Sequence, residues 1–359
     1  MPENEFLIDA LQCIEEQYQN VDKRRYWMVR TDDGRNFDYF DANNIVALNL
    51  PNYPVQDLLS VCIAYPTVSQ RIDVIKGQLR TMIDAGTLRL HNMESERGQA
   101  SSISRLAKQI YDLGITMKRG DIVVIPSHGA FRVKIGRVVD DGVAISNNHV
   151  FPIHRQVEWL KDISKRLLDP CLYRAMGAHQ AVCDISKYSE FIDRNYTSYF
   201  TCGDKFHYVL TINTENVSAR KLTSLLSSVL DEVQNFSDYY RLDVDVDSIN
   251  FSINVNSPGK FSFISSASTA AVVMAVVVAL CGGNIQYGEF ETSTNGVFRT
   301  VVDCVIDWER AQNRDDQGRN TMFESCMHSL ELQSVEQWNT TVDEALEHNN
   351  VEEERILDE

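Results

Sequence analysis

Two tryptophans, Trp27 and Trp159, and two further aromatic residues, Tyr26 and Phe131, stand in or beside stretches that read as strands. Ser127, His128 and Asn148 are polar residues near apolar runs. Arg132, Lys134 and Arg137 share one short stretch, and Arg30 and Arg155 lie at two other strand-like segments. Together these residues offer what recognition of an extruded base requires: π faces for stacking, polar groups for the base edge, and cations for the flanking phosphates. Each has a plainer meaning as well. A tryptophan in a strand serves as core, a basic pair on an alternating strand serves as a solvated face, and a lone histidine is commonly structural. Both meanings stay open at this level.

Other chemistry is less well supplied. Cys171, His179, Cys183 and Cys202 come nearest to a four-ligand metal set, but their spacing fits no ribbon or finger, so neither metal nor cofactor is expected. No C-x-x-C pair occurs among the 8 cysteines, which points to reduced thiols. The P-loop, nucleophile-elbow and H-E-x-x-H patterns are all missing. Asp184 with Lys187, and Asp204 with Lys205, are the nearest approaches to a nuclease carboxylate–lysine set. Asn147-Asn148-His149 has no second histidine pair to support it. Intrinsic catalysis is therefore not expected.

The elements that must position these groups follow from periodicity. Residues 5–20 carry Phe6, Leu7, Leu11, Ile14 and Tyr18 at helical spacing, and 26–30 read as a strand ended by the turn Asp32-Asp33-Gly34. A short helix is expected over 35–43 and a buried strand over 45–50. Prolines punctuate 52–66, and helices are expected over 68–84 and 99–113. Residues 117–126 pass from a charged turn into an apolar strand. Residues 131–139 alternate, with Phe131, Val133 and Ile135 on one face and Arg132 and Lys134 on the other. Residues 142–146 continue this meander, and 154–160 form a further strand. Residues 195–204 read as a linker. Beyond it come a strand at 206–213, a helix at 218–236, paired strands at 242–247 and 249–255, strands around 285–290 and 297–302, and a helix near 321–332.

The stretch from Tyr26 to Arg30 resembles the opening strand of EVE-type domains, members of the PUA-like superfamily that also includes the YTH readers. Met117 to Val124 is similar to that family's M-x-x-G-D-x-V strand. Phe131 to Val138, with Gly136, is similar to its next strand, and 154–160 with 167–182 to its closing section. Modules of this kind occur at the N-terminus of Mrr-type restriction proteins, and the resemblance spans residues 25–195. It implies a small β-barrel whose pocket holds one flipped, often modified, base, with aromatic side chains lining it and basic residues on the phosphates. The run Pro126-Ser127-His128-Gly129 stands where the family carries its polar and aromatic pocket positions, so the base stays open.

The expected fold class is α+β. A PUA-like small β-barrel with flanking helices (1–195, the reader) is followed by a linker (196–205). A C-terminal α+β sandwich-like domain with one very apolar helix (206–335, effector or assembly) and an acidic tail (336–359) complete the chain. Charge is divided in the same way. Residues 1–200 carry 24 basic and 25 acidic side chains, whereas the rest carry 10 and 26, out of a net −17. DNA or RNA is thus expected on the first part, and a basic protein partner or a second copy of the chain on the other. The strictly apolar run 270–281 has 12 residues, short of the roughly 20 needed to span a bilayer, although the uncharged stretch 261–281 reaches 21. A buried or oligomer-forming helix is the leading reading and membrane insertion the alternative. Val272, Val273, Val276, Val277 and Leu280 are the candidate contact residues. The acidic opening residues, with no apolar leader, predict a cytoplasmic protein. The resemblance implies a nucleic-acid sensor of bacterial antiphage or restriction-type defence. The alternative is an interaction or membrane-acting effector whose barrel is a scaffold or a small-ligand site.

Overall fold

The computed structural model describes residues 2–19, 24–90, 95–142, 150–165, 167–177, 180–213, 218–254, 259–280, 295–312 and 332–334, with Gln337 and Thr340. The chain forms two compact units, a first unit Lys23–Ile192 and a second unit Met1–Asp22 with Asp193–Glu359. The opening helix α1 (Pro2–Gln19) therefore belongs with the C-terminal half, contrary to a boundary drawn around 1–195. The reason is its apolar stripe: Leu7, Ala10, Leu11 and Ile14 are buried in the second unit's core.

The first unit is built on a curled, half-barrel sheet of six strands. These are β1 (Tyr26–Val29), β2 (Ile45–Ala47), β3 (Ile122–Pro126), β4 (Arg132–Val138), β5 (His154–Ser164) and β6 (Val182–Asp184), in the order β2-β5-β4-β3-β1-β6. Strands β1 and β3 are parallel, with Trp27 opposite Val123, and the other pairs are antiparallel. Every position of β1 and β3 is buried, so both faces of the sheet centre are covered, as their continuous apolar runs require. The helices are α2 (Phe37–Ala42), α3 (Val55–Ala64), α4 (Val68–Asp84), α5 (Glu96–Tyr111), α6 (Leu172–Met176) and α7 (Ser189–Asp193). Ile75, Leu79, Ile103, Ala107 and Ile110 from α4 and α5 join Trp27, Val29, Val123 and Val138 in one core. α3 fills part of the proline-punctuated stretch. It begins after Pro54 and stops at Tyr65, which is extended because Pro66 follows it.

The second unit has the sheet order β11-β8-β10-β9, made of β8 (Lys205–Ile212), β9 (Asn250–Asn254), β10 (Gly259–Ser265) and β11 (Leu332–Ser334). β7 (Tyr199–Cys202) forms a hairpin with the first half of β8, turning at Gly203, whose φ is +66°. The expected linker over 196–205 is thus largely sheet. Helices α8 (Ala219–Tyr240), α9 (Ala267–Leu280) and α10 (Asn295–Gln312) complete the unit.

The run 270–281 falls on α9. Its N-terminus is capped by the Ser266 hydroxyl, which accepts from the Thr269 amide at 3.4 Å, and by Glu15 of α1, which accepts from the Ser268 amide at 2.9 Å. The helix packs against α1, α8, α10, β8 and β10. Val272, Val273, Val276 and Val277 are buried inside this unit and Leu280 is half-buried at the helix end. Their reading as membrane or oligomer contacts is corrected accordingly, since neighbouring elements of the same unit already cover them. Among the described residues no helix is long and apolar enough to cross a membrane.

Two further expectations change. Residues 297–302 lie in α10, not in a strand: Val301, Val302, Val305 and Trp308 form a buried helical stripe, a period that a six-residue window cannot display. Residues 242–247 yield only a 3-10 turn, Val246–Ser248. The segments 143–149, 285–290 and 321–331 lie outside the described residues.

Candidate functional site

Parallel strands β1 and β3 end side by side, and the chain that leaves them encloses a hollow of about 240 Å³. Arg30 and Thr31 come from the end of β1, Pro126 and Ser127 from the end of β3, and Lys165, Met176 and Gly177 from the segment after β5. The Thr31 hydroxyl donates to the Pro126 carbonyl at 2.6 Å and ties the two strand ends together. The rim is held in left-handed backbone. Asp32, Asp33 and Gly34 have φ of 54°, 58° and 89°, and Gly129 and Ala130 have 58° and 54°. At Gly34 a Cβ would stand 2.3 Å from the His128 amide nitrogen, so only glycine lets the two loops meet. For Asp32, Asp33 and Ala130 this conformation is strained by about 1 kcal/mol or more each, and such strain gathers where a site must be held open.

The chemistry of the mouth is cationic and aromatic. Arg30 donates to the Met176 carbonyl at 3.3 Å. The Lys165 ammonium lies 6.0 Å from the Phe131 ring centre and 5.7 Å from that of Tyr173. Phe131 is 68% and Tyr173 40% exposed, so both rings present surface to solvent. The Tyr173 hydroxyl donates to the Lys165 carbonyl at 2.8 Å, which fixes that ring. His128 Nδ1 sits 3.0 Å from the Asp33 carbonyl oxygen and 3.5 Å from its carboxylate. Burial pushes the Cys183 thiol up, against the pull of Arg30.

Of the residues singled out in the sequence, the structure brings Arg30, Ser127 and His128 to this mouth, with the Phe131 ring beside Lys165. The others go elsewhere. Trp27 is 1% exposed and its indole nitrogen donates to Asp121 at 2.8 Å, so it is a core residue and not a stacking platform. Arg155 is wholly buried. It donates to the Asp140 carboxylate at 2.6 Å, the Asp140 carbonyl at 2.8 Å, the Leu113 carbonyl at 3.3 Å and the Met117 carbonyl, acting as a clamp with no face left for phosphate.

Arg132, Lys134 and Trp159 meet on one face of the sheet, beside α2. Register explains it: Ile135 pairs with Lys161 but Gly136 pairs with Trp159, so Leu160 is the extra residue of a bulge. The bulge sets Trp159 and Asp162 on the same side as Lys134. The Trp159 ring lies over Gly136, where a Cβ would approach it to 2.7 Å, and its nitrogen donates to the Asp41 carbonyl at 3.2 Å. Lys134 pairs with Asp41 and Asp162, and Arg132 pairs with Asp162 while lying 5.6 Å from the Phe37 ring centre. The hydrogen bond with Asp162 holds the Arg132 guanidinium above its ordinary value, more than burial lowers it. These cations are matched by carboxylates and are not poised for phosphate. Arg137 is half-buried on β4 opposite Ile122 and Glu158, away from the mouth. Asn148 and His179 lie outside the described residues. Cys171 and Cys183 are in the first unit and Cys202 in the second; among the described residues no three metal-ligating side chains gather.

Lys165, Asp33 and Gly34, which line the hollow, and Tyr173 beside Lys165 were left out by sequence reasoning. Asp32-Asp33-Gly34 was visible as a turn. Lys165 and Tyr173 carried no signal, because their place depends on how the chain returns after β5. A larger hollow of about 540 Å³ in the second unit is lined by Ala219, Arg220, Thr223, Ser224, Ser227 and Ser228, all from α8. One helix cannot enclose a ligand, so the mouth at β1 and β3 is the better candidate. Compared with family models, curated proteins and solved structures, the chain matches none.

Proposed function

We propose that the first unit reads nucleic acid by taking one extruded base into the mouth at the ends of β1 and β3, with no covalent chemistry. The observation that carries this reading is a hollow of about 240 Å³ lined by Arg30, Ser127 and Lys165, with the Lys165 ammonium also lying near two exposed rings, Phe131 and Tyr173, beside the lining. That volume falls below the roughly 300–1,000 Å³ of sites for drug-sized ligands, which suits a single base and not a whole nucleotide. A base entering there meets the Ser127 hydroxyl and backbone groups with its edge, and the Phe131 and Tyr173 rings beside Lys165 offer faces for stacking at the approach. Arg30 and Lys165 meet the phosphates on either side. The resemblance to EVE-type domains supports a role in sensing modified or foreign nucleic acid within a bacterial antiphage or restriction-type system, with the second unit as effector or assembly part.

Fluorescence anisotropy with short single-stranded and duplex DNA carrying 5-modified cytosine, N6-methyladenine or no modification, at low salt, tests the reading. Lys165→Ala is expected to weaken binding to all of them and to reduce the salt slope by about one. Phe131→Ala with Tyr173→Ala is expected to cost about 1–3 kcal/mol per lost stacking surface. Failure of every oligonucleotide to bind, or binding indifferent to these variants, removes the proposal. Competition by a free nucleobase alone would instead favour a small-ligand site in the same mouth.

A further inference from the structure

The sheet of the second unit has two unlike faces. Phe206, Tyr208, Leu210 and Ile212 of β8, with Phe261 and Phe263 of β10, join the core beneath the helices. Alternation sends His207, Val209 and Thr211 of β8, and Lys260 and Ser262 of β10, to the opposite face. Register then sets Lys260 opposite Thr211 and Thr211 opposite Gln333 of β11, one polar row across three strands. This face is not a solvated one: Thr211 is 0% exposed, and His207 and Ser262 are each 4% exposed.

The row is cationic and under-satisfied. The Lys260 ammonium donates to the Arg194 carbonyl at 2.9 Å and to Asn195 Oδ1 at 3.0 Å, both neutral acceptors, which leaves one of its three N–H groups to spend. Burial, and then the Arg194 charge, hold Lys260 down to about 7 and His207 down to about 4, while burial holds Arg194 down to about 10. Among the described residues no carboxylate acts on Lys260 or on His207. Besides Trp308 Nε1 of α10, three buried polar atoms among the described residues have no hydrogen-bond partner: His207 Nδ1, the Thr211 hydroxyl and Gln333 Oε1. All three belong to residues of this one face. Buried polar atoms are ordinarily satisfied, and buried charge is ordinarily paired, so several such vacancies on one face point to something that fills them.

We propose that this face of the second unit binds one small oxyanion of the phosphate class, seated by Lys260 and the Thr211 hydroxyl with Arg194 beside it. A hydrogen phosphate group supplies what the row of Lys260, Thr211 and Gln333 lacks. Its oxygens accept from the remaining Lys260 proton and from the Thr211 hydroxyl. Its own protonated oxygen can donate to Gln333 Oε1. The ion is thus matched to donors and an acceptor together, which chloride is not. The phosphate source is either the free ion or the monoester of a nucleotide, and the two are separable by experiment.

The test uses the full chain. Thermal unfolding and isothermal titration calorimetry are run with sodium phosphate, with AMP, and with sodium chloride at matched ionic strength. A saturable rise in Tm with phosphate or AMP, absent in chloride, is expected; phosphate alone identifies the free ion, and AMP a monoester. Thr211→Val, nearly the same shape, is expected to weaken affinity about tenfold, as loss of one hydrogen bond to a charged group does. Lys260→Met is expected to abolish the shift while circular dichroism shows a folded protein. If Lys260→Met does not fold, Thr211→Val decides alone. Absence of any rise beyond chloride, an equal rise in the variants, or loss of the shift on Lys165→Ala of the first unit would each overturn the proposal.

Discussion

Lys260 gives the sharpest stability prediction, because the direction of its pH effect follows from its surroundings. Its ammonium is buried among neutral acceptors near Arg194 and is held down from 10.5 to about 7. In the unfolded chain it titrates at its ordinary value, so between about pH 7 and 10.5 the unfolded state binds more protons than the native state. Stability therefore rises with pH across that window, and is lost as pH falls back through about 7. At 1.36 kcal/mol per unit, the full cost of the buried charge at low pH is about 5 kcal/mol as an upper bound. From about pH 7 to pH 9 the native state sheds most of its proton and the unfolded state almost none, which recovers about 2 kcal/mol.

The perturbation is Lys260→Met, which keeps the stem and removes the charge. The assay is urea unfolding of both proteins in phosphate-free buffer at several pH values. The transition that moves between the two proteins is that of the second unit. The variant is expected to be the more stable protein below pH 7, and its advantage to shrink by about 2 kcal/mol by pH 9. Parallel curves for wild type and variant across this range would show that the ammonium is solvated and titrates normally, and would refute the reasoning. Other groups that titrate in the window are common to both proteins and cancel in the difference.

Arg155→Ala is expected to destabilise the first unit by about 3–5 kcal/mol in urea unfolding, since it strands Asp140 and the carbonyls of Leu113 and Met117 together. Any loss of DNA binding in that variant should track the unfolded fraction. Gly136→Ala is expected to cost about 1–3 kcal/mol by pushing the Trp159 ring off the sheet, read as a lower Tm and a shifted tryptophan emission.

Much of the strand content of the first unit was readable because β1 and β3 are continuous apolar runs and β4 alternates. The sides of the sheet were not. Val133 and Ile135 do share a face, as expected, but Phe131 falls outside β4 and leaves its ring in solvent. Whether Arg132 and Lys134 met water or acid depended on Asp162 of β5 and on α2, whose Asp41 arrives at Lys134 from 93 residues away along the chain. Trp27 shows the same limit. Its residue type suits a stacking platform and a core equally, and only the Asp121 carboxylate waiting beneath it decides between them.

By itself the sequence determined the local matters: which segments favour helix or strand, where turns fall, and that 270–281 lacks the length to span a bilayer with apolar residues alone. These depend on short-range periodicity and on chain length, which neighbouring residues carry among themselves. Only the tertiary structure decided that α1 serves the second unit and that α10 is a helix through residues read as strand. It also decided that the mouth takes Arg30, Ser127, Lys165 and Met176 from three distant segments. Those outcomes turn on what each side chain meets across the fold, and a charge or a ring has no fixed meaning until its partner has arrived.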